Sequence, residues 1–322
     1  MVQIVTRFSL FGFMALSLSM IQSSSSKEVS NTSQTISFYL EIRKETHNKL
    51  KKVDLNHLDE HEKHIKADST WYFSFHGWGG SVKDSPILPN MVKALQKSRD
   101  CNIVHVDWSY LAKPWYGIAI ENIKIVAEYV GDAINKVSKG GKIGEMRIHL
   151  VGFSLGAQVV GFLGKYMQAK YNMKPSRITA LDPAGPGFNH VEPYERLDSQ
   201  DAHYVQVIHT SGKSLGIWEP IGHVDLYLNG GKAPQPGCKG NKANVFSGAT
   251  CSHQMSKKLF AQSMQNIDTG IKCTSWKEFE AGECYGSQTR QTCLLGLEDP
   301  KCPEGIYNVT MLLATEVNNN NI

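Results

Sequence analysis

Short apolar segments alternate with amphipathic ones through the first two thirds of the chain. The apolar segments have the length and the β-branched and aromatic content of buried strands. They are Ile36–Arg43, Trp71–Phe75, Ile103–Val106, Arg147–Val151, Arg177–Leu181 and Tyr204–Ile208. Pro86–Lys97 and Ile118–Val137 carry apolar residues at helical spacing, whereas the charged stretch that ends near Thr70 is predicted to be a solvated loop. Strands alternating with helices predict an α/β fold, with a mostly parallel central sheet covered by helices on both faces.

The first residues have the pattern of an export signal. Arg7 ends a short basic segment, an apolar core runs from Phe8 to Ile21, and Ser23–Ser26 supply small residues for cleavage. The core is too short to span a membrane, and no later segment is long and apolar enough to do so. We therefore expect a signal peptide over residues 1–25 and a secreted mature protein, with a buried N-terminal helix as the alternative.

Composition narrows the class of protein. The chain has 322 residues, of which 41% are hydrophobic and 20% charged, as in an ordinary globular protein with a sizeable core. Its net charge of +4 is mild, and no basic stripe interleaved with aromatics suggests a nucleic-acid partner. Sequons at Asn31 and Asn308 are compatible with a secreted glycoprotein.

The cysteines also favour an oxidising compartment. Six of the seven lie in the C-terminal third, which is typical of local disulfides that close loops. Cys101 is left over and is expected to be a buried thiol. No tight Cys-x-x-Cys pair supports the alternative of a zinc site. Pairing nearest neighbours predicts the disulfides Cys238–Cys251, Cys273–Cys284 and Cys293–Cys302.

One apolar segment runs into Gly152-Phe153-Ser154-Leu155-Gly156 and then into a helix-forming segment. This strand–turn–helix pattern is typical of an elbow that exposes a serine hydroxyl at the edge of a sheet. A Cβ at either glycine is expected to collide with the neighbouring strand or helix. A glycine-rich turn is the alternative, but the flanking elements favour Ser154 as a nucleophile.

A serine nucleophile needs a histidine to accept its proton and a carboxylate to orient that histidine. In α/β hydrolases the order is Ser, acid, His, with the acid after the next strand. Asp182 follows Arg177–Leu181 and is the candidate acid, with a turn-forming Asp-Pro pair as the alternative. His253 precedes a predicted helix over Gln254–Met264 and is a candidate base. The other histidines beyond the acid also remain candidates for the base; they are His190, His203, His209 and His223. Of these, His209 and His223 border strand-like segments and are expected to be structural.

The oxyanion of an acyl-transfer reaction needs preorganised N–H donors. The backbone amide of Leu155, directly after the nucleophile, is one candidate. The second is the amide of Trp78, in a glycine-containing turn that follows the strand Trp71–Phe75.

Together these residues resemble the pancreatic lipase family of secreted α/β hydrolases. The resemblance covers about residues 36 to 310, and its order and spacing are highly specific. It implies a triad of Ser154, Asp182 and His253, with oxyanion donors at Trp78 and Leu155. The matching pieces are His76-Gly77-Trp78, Val106-Asp107-Trp108, Glu121-Asn122-Ile123, Gly152-Phe153-Ser154-Leu155-Gly156-Ala157, Leu181-Asp182-Pro183-Ala184-Gly185-Pro186, Arg196-Leu197-Asp198, Ile208-His209-Thr210, Gly222-His223-Val224-Asp225 and Cys251-Ser252-His253.

Three departures from the family pattern bear on the substrate. The family's larger lipases add a C-terminal β-sandwich domain, whereas residues 26–322 are expected to form a single lipase-type domain without one. The lid loop, Lys239–Thr250, has 12 residues and is shorter than in triglyceride lipases of the family. The segment from Ser211 to Gly222 is also abbreviated. Both shortened loops resemble those of the phospholipase A1 branch, which includes insect and venom members. A short lid leaves room for a polar head group beside the serine.

Two further features keep alternatives open. The stretch from Arg196 to Asp201 resembles a structural calcium segment of some relatives, in which Asp198 and Asp201 would supply carboxylate oxygens. An Arg-bound acidic turn that needs no metal is the alternative. Trp218, Val245 and Phe246 are candidates to touch acyl chains or a membrane surface, with ordinary loop packing as the alternative.

The function expected from the sequence is a secreted phospholipase A1 that cleaves the sn-1 acyl ester of glycerophospholipids at a membrane or micelle surface. A neutral triacylglycerol or galactolipid lipase is the alternative within enzymes. A non-catalytic lipid-binding or yolk-type protein is the alternative of another class. We expect a monomer that needs no cofactor.

Overall fold

The computed structural model describes residues 35–42, 49–66, 68–84, 95, 101–140, 147–238, 245–263, 269–284, 292–294 and 302–311. Its strands are β1 (Ser37–Ile42), β2 (Lys49–Val53), β3 (Thr70–Phe75), β4 (Cys101–Asp107), β5 (Ile148–Phe153), β6 (Arg177–Leu181), β7 (Val205–His209), β8 (Val224–Leu228), β9 (Thr269–Cys273), β10 (Thr292–Leu294) and β11 (Gly305–Val309). Its α-helices are α1 (Ser109–Ala112), α2 (Tyr116–Lys139), α3 (Leu155–Tyr171), α4 (Val245–Ser263) and α5 (Trp276–Ala281).

The described strands form one sheet in the order β10-β9-β11-β8-β7-β6-β5-β3-β4-β1-β2. The strands from β11 to β4 in this order pair in parallel. Antiparallel pairs complete both edges, with β1 and β2 beyond β4 and with β9 and β10 beyond β11. The predicted mostly parallel sheet is confirmed, and the chain has an α/β-hydrolase fold.

Helices cover both faces of this sheet, as predicted. The apolar stripes of α2 and α3 pack with alternate strand residues such as Leu150 and Ile178 in one core cluster. On the other face, α4 packs with Val151 and Leu181, whose side chains point the opposite way from their strand neighbours. The strands β5 and β6 are covered on both faces, so every one of their residues is buried rather than every second one.

Three local predictions differ from the structure or lie outside it. The charged stretch before Thr70, predicted to be a loop, contains β2 and a 3₁₀ helix over Leu55–His64. The predicted helix after His253 starts earlier than expected, since α4 begins at Val245 and contains His253. The predicted helix Pro86–Lys97 lies outside the described residues, apart from Leu95.

Disulfides close two loops of the C-terminal third. The structure joins Cys238 to Cys251 and Cys273 to Cys284. Cys302 is also disulfide-bonded, but the side chain of Cys293 lies outside the described residues, so that pairing stays a prediction. Cys101 is buried at the start of β4.

No helix among the described residues combines the length and the apolar character needed to cross a membrane. The predicted signal peptide and the sequon at Asn31 precede these residues, and Asn308 lies within β11.

The carboxyl ends of the parallel strands meet along one edge of the sheet, and this edge positions the site. The register aligns Phe153 of β5 with Leu181 of β6, and Leu181 with Ile208 of β7. The residues that directly follow these three strands are therefore neighbours in space, which is where α/β folds place their functional groups.

Candidate active site

Ser154 occupies a sharp turn between β5 and α3. Its backbone has φ 55° and ψ −121°, a conformation that L residues adopt rarely and at a cost in strain. The turn is possible because Gly152 and Gly156 lack side chains. A Cβ on Gly152 would lie 2.4 Å from the carbonyl oxygen of Gly156, and a Cβ on Gly156 would lie 2.4 Å from that of His76. The expected collisions at both glycines are confirmed.

The structure brings the three predicted residues of the triad together. His253 Nε2 lies 2.7 Å from Ser154 Oγ, and His253 Nδ1 lies 2.6 Å from Asp182 Oδ2. All three residues are buried, with Asp182 wholly so. The arrangement suits the tautomer in which Nδ1 donates to the carboxylate and Nε2 accepts from the serine hydroxyl.

The loop after β7 holds Asp182 in place. The backbone N–H groups of Thr210 and Ser211 donate to Oδ1 over 2.8 and 3.1 Å, and the hydroxyl of Ser211 donates to Oδ2. Burial alone would raise the pKa of Asp182. The hydrogen bond from His253, the attraction of that ring when it is protonated and the donors of the loop outweigh burial and hold the pKa below its ordinary value. Asp182 is therefore a carboxylate at neutral pH, as the orienting group must be.

Sequence reasoning missed the contribution of Ser211. Its hydroxyl contacts Asp182 and also lies 3.3 Å from His253 Nδ1, so that it touches two members of the triad. A signal was available, because Ser211 follows β7, the neighbour of β6, and the carboxyl ends of neighbouring parallel strands converge.

Two backbone amides near Ser154 are available as donors. Neither the N–H of Leu155 nor that of Trp78 donates a hydrogen bond to any residue that the structure describes. Leu155 opens α3, where the first N–H groups of a helix have no intrahelical acceptor. The turn that carries Trp78 approaches Ser154 closely, since a Cβ on Gly77 would lie 3.0 Å from Ser154 Cβ.

That turn is fixed from behind by His76 and Trp108. Their rings stack 5.3 Å apart, and the indole N–H of Trp108 donates to the carbonyl of His76 over 2.9 Å. His76 Nε2 accepts the backbone N–H of Trp108 over 3.1 Å, which leaves Nδ1 to donate to the carbonyl of Gly77. Both side chains are buried, so the turn is held rigidly beside the serine.

Of the other histidines beyond Asp182, His209 forms a second buried pair with a carboxylate. Its Nε2 lies 2.9 Å from Asp225 Oδ1, and its Nδ1 lies 3.0 Å from the carbonyl oxygen of Ile217. It is sealed from solvent and stacks on Tyr227 at 4.2 Å. The expectation that His209 is structural agrees with this packing.

The acidic turn that resembles a calcium segment already contains a cation. Lys165 Nζ lies 2.7 Å from Asp198 Oδ2 and 2.5 Å from Asp201 Oδ1. The alternative of an arginine-bound turn is right in needing no metal to pair the carboxylates, but the cation is Lys165, and Arg196 donates to the carbonyl of Leu197. Among the described residues no cluster of three metal-ligating side chains occurs. The site does not fit calcium, since the ammonium group occupies the position between the two carboxylates.

Trp218 is buried rather than presented to lipid. It packs among Tyr227, Trp276 and Phe279, and its indole N–H donates to Glu280 over 3.0 Å. Loop packing, the alternative reading, accounts for this residue. The side chains of Val245 and Phe246 lie outside the described residues.

Comparison with known proteins places this site in a family. The family model described as "Lipase" matches residues 15–321. The chain belongs to this lipase family. Lipoprotein lipase of Mus musculus is 35% identical over 254 residues, covering 73% of this chain and 52% of the relative, and lipoprotein lipase of Homo sapiens has the same values. The lipase-family chain thus spans about half the length of these curated relatives. Among solved structures, a Pyrobaculum calidifontis esterase aligns with a TM-score of 0.32 and 16% identity over 45% of this chain and 59% of that chain.

Proposed function

We propose that this chain is a secreted serine ester hydrolase of the phospholipase A1 type, which releases the sn-1 fatty acid of a glycerophospholipid. The observation that carries the proposal of ester hydrolysis is the continuous set of contacts from Asp182 through His253 to Ser154. A histidine whose Nε2 faces a serine hydroxyl, and whose Nδ1 faces a carboxylate, is arranged to accept the serine proton.

In the first half of the reaction, Ser154 Oγ attacks the ester carbonyl carbon while His253 Nε2 accepts the hydroxyl proton. The carbonyl oxygen becomes an oxyanion, which the amides of Leu155 and Trp78 bind. Asp182 stabilises the imidazolium that forms. The ester C–O bond then breaks, and His253 donates its proton to the departing oxygen of the lysophospholipid.

In the second half, a water molecule replaces the alcohol. It donates a proton to His253 Nε2 and attacks the acyl carbon of the acyl-enzyme. The second oxyanion binds the same amides, and its collapse breaks the bond to Ser154 Oγ. His253 returns the proton to Ser154, and the fatty acid leaves.

The phospholipid assignment is supported by the loops above the serine. The lid loop between Cys238 and Cys251 has 12 residues, of which 245–250 are already part of α4. The segment from Ser211 to Gly222 folds back on the scaffold, where Ile217 donates to the carbonyl of Pro183 and Trp218 is buried. Short loops provide little apolar wall for a triglyceride and leave space for a polar head group.

Secretion is part of the same proposal. The disulfides Cys238–Cys251 and Cys273–Cys284 support folding in an oxidising compartment, which agrees with the predicted signal peptide.

The test is acyl-chain release from phosphatidylcholine that carries different fatty acids at sn-1 and sn-2, compared with emulsified triglyceride. We expect the sn-1 acid to appear and Ser154→Ala to abolish its release. A strong preference for triglyceride, or for galactolipid, would assign the protein to another lipase type. Absence of any Ser154-dependent hydrolysis would favour a lipid-binding protein.

A further inference from the structure

A group of large apolar side chains is exposed beside the candidate active site. We call Trp78, Tyr110, Trp115 and Ile118 the aromatic rim. Their exposed fractions are 51, 69, 87 and 49%. Large apolar side chains that gather on a surface mark an interaction site more often than single ones do.

The rim is a fixed surface rather than a loose loop. The indole N–H of Trp78 donates to the carbonyl of Pro114 over 2.8 Å, and its ring meets Tyr116 edge-on at 5.4 Å. The N–H of Gly79 donates to the carbonyl of Ala112 over 3.0 Å. These contacts tie the segment from Tyr110 to Ile118 to the turn that approaches Ser154.

The side-chain types indicate what covers the rim. Tryptophan and tyrosine combine a large apolar ring with a polar N–H or O–H, and they are enriched where hydrocarbon meets lipid head groups. Lys113, exposed between Tyr110 and Trp115, forms no ion pair with any residue in the described ranges. A cation among interfacial aromatics complements the phosphate groups of a phospholipid surface.

We propose that the aromatic rim docks the protein onto a phospholipid bilayer, with Tyr110 and Trp115 entering the head-group layer and Lys113 contacting phosphate. Docking at this place puts the membrane surface next to Ser154, so that an acyl ester has a short path to the nucleophile. The proposal rests on the proposed function for its purpose, but vesicle binding is measurable without any hydrolysis.

The experiment uses the full chain and vesicles of non-hydrolysable diether phosphatidylcholine, with or without diether phosphatidylglycerol. The test variant is Tyr110→Ser combined with Trp115→Ser. Serine at position 115 suits the start of α2, because Trp115 is its N-cap residue. The matched control is Leu50→Ser, which removes an exposed apolar side chain from the amino edge of the sheet, opposite the rim.

We expect the rim variant to bind vesicles about tenfold or more weakly than the unmodified protein, since it loses two interfacial aromatic groups. Its kcat/KM on a water-soluble short-chain ester stays unchanged, and Leu50→Ser changes neither quantity. Lys113→Gln weakens binding to the vesicles that contain phosphatidylglycerol more than to the neutral ones.

Equal vesicle binding by the rim variant and the unmodified protein would overturn the proposal. So would failure of the unmodified protein to bind either vesicle, or an equal loss in Leu50→Ser. A parallel loss of soluble-ester activity in the rim variant would also overturn it, because the rim would then support the site itself. Binding without hydrolysis of natural phospholipid would leave the docking proposal standing and contradict the proposed function instead.

Discussion

Two buried histidine–carboxylate pairs lie within this fold, and they differ in what faces the second ring nitrogen. In the pair His253–Asp182, the other nitrogen faces the hydroxyl of Ser154, a group that donates a proton. In the pair His209–Asp225, the other nitrogen faces the carbonyl of Ile217, a group that only accepts one. Both pairs are buried, so burial and a carboxylate partner do not by themselves mark a catalytic histidine.

This difference determines which of the two rings can accept a proton from a neighbouring group. His209 lies between a carboxylate and a carbonyl, so neither of its ring nitrogens faces a hydroxyl whose proton it could take. His253 keeps a lone pair on Nε2 that points at a hydroxyl. The buried pair at His209 also braces the chain directly before Thr210 and Ser211, which hold Asp182. We therefore assign proton transfer to one pair and structural support to the other.

The largest expected effect is the difference in hydrolytic activity between variants of His253 and of His209. His253→Gln should lower kcat by about a thousandfold or more, because the base is lost. His209→Gln should leave the activity of the folded fraction within about tenfold of the unmodified protein. Hydrolysis of a soluble ester, normalised to folded protein by circular dichroism, provides the measurement. Equal losses in two well-folded variants would contradict the assignment.

The second effect concerns stability, to which the pair His209–Asp225 is expected to contribute. Asp225 accepts hydrogen bonds from His209 and from the backbone N–H groups of Ile221 and Gly222. Asp225→Ala should therefore lower the free energy of unfolding by about 3–5 kcal/mol, because the buried ring of His209 and two backbone N–H groups lose their acceptor. Urea unfolding monitored by fluorescence measures this. The free energy of unfolding of Asp225→Asn is expected to lie between those of Asp225→Ala and the unmodified protein. An unfolding curve unchanged in Asp225→Ala would show that the second pair does not brace the fold.

A smaller effect concerns the hydroxyl of Ser211, which contacts both Asp182 and His253. Ser211→Ala should lower kcat about tenfold with KM nearly unchanged, because Asp182 and His253 lose a shared positioning contact. Thr210→Val is the matched control. It removes a neighbouring buried hydroxyl that has no hydrogen-bond partner among the described residues and keeps the backbone N–H. Steady-state kinetics that show equal losses in both variants would indicate general disturbance of the loop.

Lys257 contrasts with the two histidine–carboxylate pairs, because it is buried and forms no ion pair with any of the described residues. Its ammonium lies 4.4 Å from the centre of the Phe153 ring, and burial lowers its pKa to about 8. Below that pH both the folded and the unfolded states hold the proton. Between about pH 8 and 10 the unfolded state holds more protons, so stability rises with pH.

Lys257→Met should therefore be more stable than the unmodified protein at pH 7, by about 1–2 kcal/mol, with the advantage shrinking towards pH 10. Urea unfolding at several pH values measures this difference. A constant difference from pH 7 to 10 would rule out titration of Lys257 as its cause.

The smallest expected effect is the response to calcium. Because Lys165 bridges Asp198 and Asp201, chelator or added calcium should change Tm by less than about 1 °C. Thermal unfolding with and without a chelator checks this. Stabilisation by several degrees would mean that calcium displaces the lysine.

Much of the site was predictable because its signals are local. The elbow at Ser154 and the strand exit at Asp182 each lie within a few residues of sequence. Their steric and topological requirements act over the same few residues. The alternation of strands and helices likewise predicted the central sheet and both helical layers.

The parts that were missed depend on contacts between distant segments. Lys165 meets its carboxylates across 33 and 36 residues of chain, and nothing near it in sequence indicates that pairing. The strand β2 is charged and lies at an edge of the sheet, so it carries no apolar pattern. His253 was expected just before a helix. It lies inside α4, which begins at Val245 and also contains Cys251 of the disulfide to Cys238.

The central claim is that Ser154 is a nucleophile activated by His253 and not by any other histidine. The most direct measurement is covalent labelling with a fluorophosphonate, with the adduct located by peptide mass spectrometry. We predict one adduct, on Ser154, in the unmodified protein and in folded His209→Gln, and almost none in His253→Gln. An adduct on another serine, or labelling of Ser154 at full rate in His253→Gln, would contradict the account.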